Sequence, residues 1–227
     1  MAQNHVAQGL RLLKNKNVNR MFVAYLISYT GTAMAPIAMA FGVLELTGSA
    51  ADAAFVIAAP TAASIVVLFL GGVVADRTSR QRVMILAEIT AMAAQCSMAA
   101  LFISGTATVP LLTACMLVNG LAVAFHAPAA TGLIVQLVPK NELQATNALL
   151  GIARNSAVAG GAALGGVLVA TVGPGTTLLI DGLSFGFSAV LVLLLRPMTQ
   201  QRPAPKSVLQ DLRLGWQEFT RHTWLWV

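Results

Sequence analysis

Charge is what this chain has least of. Asp, Glu, Lys and Arg together make 10% of its 227 residues, where soluble domains carry roughly 25%. So sparse a polar complement cannot clothe a water-facing surface. Cysteine is nearly absent as well, and Cys96 and Cys115 both fall inside apolar stretches. They offer no disulfide framework and no metal site, and read as small packing residues. There is no His-Glu-x-x-His, no Gly-Lys-Ser/Thr loop and no histidine cluster. Neither metal nor nucleotide chemistry has an anchor, and no cofactor is expected.

What fills the chain instead is apolar sequence, 57% of it, at a mean hydropathy of +0.76. Apolar runs fall near 21–44, 53–75, 83–104, 109–135, 152–172 and 175–195, divided by charge, Gly or Pro. Each is long enough for a helix to cross a bilayer core, which takes about 20 residues. The expectation is an all-α integral membrane protein with six transmembrane helices. The first run follows basic residues and carries Ala38-Met39-Ala40, which resembles a signal cleavage site. Its length argues for a retained span, because signal cores run roughly 7 to 15 residues.

The net charge of +6 would suggest nucleic acid in a soluble protein, but its distribution says otherwise. In a six-span arrangement all 14 Lys and Arg fall on one side. Arg11, Lys14, Lys16 and Arg20 precede the first span; Arg77, Arg80 and Arg82 follow the second; Lys140 and Arg154 flank the start of the fifth; the rest follow the sixth. Loops 45–52, 105–108 and 173–174 hold none. By the positive-inside rule both chain ends are cytoplasmic and the protein sits in the cytoplasmic (inner) membrane. The partner implied is the lipid bilayer, not nucleic acid.

The expected organisation is a basic cytoplasmic arm at 1–20, a six-span bundle at 21–195, a cytoplasmic loop at 196–221 and the start of a seventh span at 222–227. Gly31 and Pro36 in the first span, and Gly120 and Pro128 in the fourth, fall where paired interruptions of a 3+3 inverted repeat would lie. Packing alone also accounts for them. Asn141 with Gln144 three residues on has the form of a helix N-cap, starting the fifth helix before the membrane. Ala157, Gly161 and Gly165, with Gly160 and Gly166 beside them, form a small-residue stripe for close helix approach, a device repeated at Gly182 and Gly186. After a Pro-rich linker, Ser207 to Gln210 can cap a helix with Leu209, Leu212, Trp216 and Phe219 on one face. That face suits either the membrane surface or packing on protein.

The stretch from Gly71 to Arg82 sets one carboxylate and three guanidinium groups in a short turn between apolar runs. It resembles the major facilitator superfamily signature G-x-x-x-D-R-x-x-R-x-R, here Gly72, Asp76, Arg77, Arg80 and Arg82. The resemblance implies that Asp76 and its arginines latch the cytoplasmic helix ends. A generic positive-inside loop is the plainer reading. Ala157-x-x-x-Gly161-Ala162-x-x-Gly165-Gly166 is similar to that superfamily's antiporter motif, with Ala162 where the motif has Pro. Leu46 to Ser49, Val138 to Glu142 and Asp181 to Phe185 resemble its enterobactin-exporter and macrolide-efflux-like branch. Met116 and Thr32 stand where that pattern has an arginine and an acidic residue.

The fold the resemblance implies is one half of a major facilitator transporter, exporting a small drug-like or siderophore-like molecule by alternating access. Tyr25, Tyr29, Thr32, Asn119 and His126 become the candidate substrate lining, and Glu88 and Asp181 the candidate coupling groups. Intramembrane ionisable residues face a cavity or a partner. Glu88 lies six residues beyond Arg82 and could instead pair with a basic group at the cytoplasmic end; Asp181 could instead serve as a helix-packing hydrogen bond. Gly182 to Gly186 also fits G-x-S-x-G, which with His126 leaves an intramembrane serine protease as a minor reading, although that elbow needs a strand-to-helix turn. The chain reaches only Val227. Either two copies form a homodimer, a separate chain supplies the C-terminal half in trans, or the product is truncated and transport-inactive.

Overall fold

The structure, a computed structural model, describes the backbone of residues 11–77 and 79–198 and the side chains of 11–65 and 79–198. Among the described residues regular structure is entirely helical. The helices are α1 (Lys16–Thr47), α2 (Ala50–Arg77), α3 (Arg80–Ile103), α4 (Val109–Leu137) and α5 (Leu143–Leu193), with a 3-10 turn at Lys140–Glu142. Among the described residues four units are long and apolar enough to cross a membrane: α1, α3, α4 and the 54 residues of Lys140–Leu193. The described apolar part of α2 is the shorter Ala50–Ile65.

The ends of α1 follow from local chemistry. Asn15 caps its start by accepting the Asn17 N–H at 3.0 Å, and Gly48 ends it in the left-handed region at φ 69°. Pro36 and Pro128 lie inside α1 and α4, and both helices continue through them. The break comes at Gly173 in α5, with φ 82° and ψ 169° followed by Pro174. There the chain reverses. Gly161 and Gly165 of the 143–172 limb meet Thr30 and Met34 of α1, running parallel to it, whereas Gly175, Gly182 and Gly186 of the 174–193 limb meet Ile103, Cys96 and Met92 of α3 in descending order.

Two further expectations are corrected. All of 71–77 is helical and α3 starts at Arg80, so the turn expected over 71–82 is far shorter. An unbroken helix carries the charge out of the apolar layer. The cap expected at Asn141 is replaced by the 3-10 turn, and Glu142 stands at the head of α5 without a side-chain cap bond. The early start of the fifth helix holds. Residues 199–227, with the linker, the amphipathic helix and the seventh-span start, lie outside the described residues.

The basic ends gather at one end of the bundle. The Arg20 guanidinium donates to the Leu194 carbonyl, Asn17 exchanges bonds with Arg196, and the Gln81 amide donates to the Val192 and Leu195 carbonyls at 2.8 and 3.0 Å. These side chains bond to carbonyls at and just beyond the C-terminal end of α5, where the intrahelical ladder runs out. The chain reversal at Gly173 and the turns at Gly48 and Gly105 lie at the other end.

The interior is layered. One apolar core at the basic end contains Met21, Met84, Leu133 and Leu150; another at the far end contains Met39, Met98, Leu112 and Leu178. Between them lies a belt of buried polar groups: Ser28, Glu88, Gln95, Asp181, Ser184 and Ser188. Small residues bring the helices close enough for these groups to meet. Lipid is as apolar as leucine, so helix contact here depends on close packing and hydrogen bonds rather than on hydrophobic burial.

Candidate functional site

Glu88 and His126 reach each other across α3 and α4. Counting at about 1.5 Å per residue, Glu88 sits about 12 Å from the start of α3 and His126 about 16 Å from the end of α4. The two helices are antiparallel, so both residues come to similar depth from the basic end. His126 Nε2 lies within hydrogen-bond distance of Glu88 Oε1, at 3.0 Å. The Ser188 hydroxyl of α5 donates to the same oxygen at 2.8 Å. Glu88 is 1% exposed, and its other oxygen, Oε2, is buried with no hydrogen-bond partner among the described residues.

Beside this cluster opens a groove of about 430 Å³, lined by Ser28, Tyr29, Thr32, Glu88, His126 and Phe185 among small apolar residues. Thr32 marks its deep edge, about 24 Å from the start of α1. Tyr25 is buried and meets Tyr29 edge-on, with ring centroids 5.2 Å apart. Arg154 of α5 approaches the Tyr29 hydroxyl. Of the five residues expected to line a substrate cavity, Tyr29, Thr32 and His126 line this groove. Tyr25 stands behind Tyr29, and Asn119 is not in the wall.

The second intramembrane carboxylate occupies a different place. Asp181 is fully buried; the Gln95 amide of α3 donates to its Oδ2 and the Ser184 hydroxyl, one turn away, to its Oδ1 at 3.5 Å. Gly31 of α1 presses on it so closely that a Cβ there would overlap both Asp181 and Ser184. Asp181 therefore makes hydrogen bonds of the kind a helix-packing role calls for. The ionisable partner of Glu88 is His126 rather than a basic residue of the 80–82 stretch.

The motif residues divide in the same way. Ala157, Gly161 and Gly165 are buried against α1, while Gly160, Ala162 and Gly166 on the neighbouring face are exposed. Gly72, Asp76 and Arg77 lie in the last turns of α2 and their side chains are outside the described residues. Arg80 lays its guanidinium against Gly132 of α4, leaving no room for a Cβ there, and Arg82 is exposed. Gly120 packs on Pro60 of α2 and Gly31 on α5, so the two glycines do not play matching parts.

Nothing in this geometry supports a serine protease. Gly182 to Gly186 lies within continuous helix, Ser184 bonds to Asp181, and His126 bonds to Glu88. Sequence reasoning missed Gln95 and Ser188 altogether. The signal for both was a lone polar group in an apolar run, which must find a partner inside the bundle.

Comparison with known proteins agrees with the architecture. The family described as transmembrane secretion effector matches residues 7–223. The chain is 26% identical over 185 residues to the uncharacterized major-facilitator-type transporter YkuC of Bacillus subtilis (strain 168), an overlap covering 80% of this chain and 42% of that protein. The chain therefore spans less than half the length of that relative. With apolar membrane-length helices packed through glycine, and a family match over nearly its whole length, this chain is a membrane protein that belongs to the transmembrane secretion effector family of the major facilitator superfamily.

Proposed function

We propose that the chain forms one six-helix half of a transporter that exports a small amphipathic molecule by alternating access. The observation that carries this reading is the groove beside Glu88 and His126, inside the membrane-length helices and open on one side. A substrate site near the bilayer midplane between two bundles has this character. Counting α2 and both limbs of α5 as crossings gives six spans. The gathering of basic residues at one bundle end supports a cytoplasmic-membrane protein with both described ends inside.

A 3+3 inverted repeat is supported by the pairings: the 143–172 limb packs on α1 through Gly161, as α4 packs on α2 through Gly120. Swapping the first three spans for the last three exchanges those two contacts. The exposed Gly160, Ala162 and Gly166 face of α5, and the Arg80 and Arg82 end of α3, are where a second bundle would dock. That bundle comes from a second copy, a separate chain or further sequence.

The test is dye export from cells lacking their own exporters. Three forms are compared: the 227-residue chain, a tandem fusion of two copies, and the chain extended by the reading frame that follows codon 227. The expected result is no export by the chain alone and export at least several-fold above background in a form with a second bundle. Export by none of the three, with all in the membrane, would overturn the reading.

A further inference from the structure

Resting on the reading of the groove as a substrate site, we infer that its ligand is a lipophilic organic cation bearing an N–H donor, held by the unpartnered Oε2 of Glu88. The wall provides acceptors and aromatic faces, with no lysine or arginine among its residues. Glu88 Oε1 is already occupied, by His126 Nε2 at 3.0 Å and Ser188 Oγ at 2.8 Å, while Oε2 is buried without a partner among the described residues. A buried carboxylate oxygen in a low-dielectric layer is costly unless paired. An ionised carboxylate oxygen only accepts, so the partner it calls for is a donor, and a cation satisfies charge and hydrogen bond together.

The remaining lining favours the same ligand. Tyr29 and Phe185 offer ring faces, and aromatic faces attract cations. The ionisable groups around Glu88 are His126 on α4, Tyr25 and Tyr29 on α1, and Asp181 and Arg154 on α5. Arg154 is turned toward Tyr29, and Asp181 is held by Gln95 and Ser184.

The experiment uses the full chain in lipid nanodiscs and three fluorescent probes of one shape: naphthylmethylammonium, naphthylmethanol and naphthoate. The wild type is expected to bind the ammonium at least tenfold more tightly than the alcohol and not to bind the carboxylate. Glu88→Gln is expected to bring the ammonium to the affinity of the alcohol. The wild-type ratio needs no variant, so a folding defect in Glu88→Gln leaves the test intact. Equal binding of all three probes, or a preference that survives Glu88→Gln, would overturn the cation assignment while leaving export to the dye assay. Binding of none of them would overturn the groove as a ligand site, and with it this inference.

Discussion

Glu88 and Asp181 are the same chemical problem solved in opposite ways. Each is a carboxylate buried in a membrane-length helix bundle, and each accepts from a serine of the 174–193 limb, Ser188 for one and Ser184 for the other. Asp181 is sealed: an amide donor from Gln95 and the bare backbone of Gly31 close around it. Glu88 is left open, with an ionisable partner, an unpaired oxygen and a groove at its side. The difference teaches that burial alone does not say how an intramembrane charge is satisfied. What separates them is whether the surrounding helices satisfy the group and exclude everything else.

The largest effect that can break the comparison is steric. Gly31→Val places branched carbon where Asp181 and Ser184 already sit, and is expected to cost about 3 kcal/mol, as overpacking of a tight core does. Equilibrium unfolding in detergent measures it. The neighbouring Thr32→Val, on the groove wall, is expected to cost less than about 0.5 kcal/mol, in the range of substitutions that break no packing. Similar losses for the two would mean that Gly31 is not a seal.

A smaller effect separates the partners. Asp181→Leu leaves the Gln95 amide buried and unpaired and is expected to cost about 2 kcal/mol. Asp181→Asn keeps an acceptor for that amide and is expected to cost less than about 1 kcal/mol, the scale of interhelical hydrogen bonds within membranes. Unfolding midpoints for the two variants, measured side by side, decide this. If Asn destabilises as much as Leu, the negative charge itself matters at Asp181 and the structural reading of that site falls.

Much of the architecture was legible in the apolar runs, because a bilayer enforces length and backbone satisfaction so strictly that composition nearly determines helix position. The small-residue stripe was legible too, and Ala157, Gly161 and Gly165 do face α1. Proline was misleading. Pro36 and Pro128 suggested interruptions, yet the helices continue through them, as membrane helices allow when neighbours satisfy the freed carbonyls. The chain reversal at Gly173 and Pro174 was anticipated as a loop between the fifth and sixth runs, and there the positive φ of glycine makes it. The Glu88–His126 pair was harder to see. Its members are 38 residues apart, and apolar helices with little amphipathicity do not reveal which faces meet.

The central claim is that the polar belt is divided into an open site at the groove and a sealed one at Asp181. Labelling by a water-soluble thiol reagent tests it most directly, with Thr32→Cys and Ser184→Cys each in a background where Cys96 and Cys115 are alanine, in nanodiscs. The account predicts that the cysteine at 32 reacts at least tenfold faster than the one at 184. Equal rates, or faster reaction at 184, would contradict it.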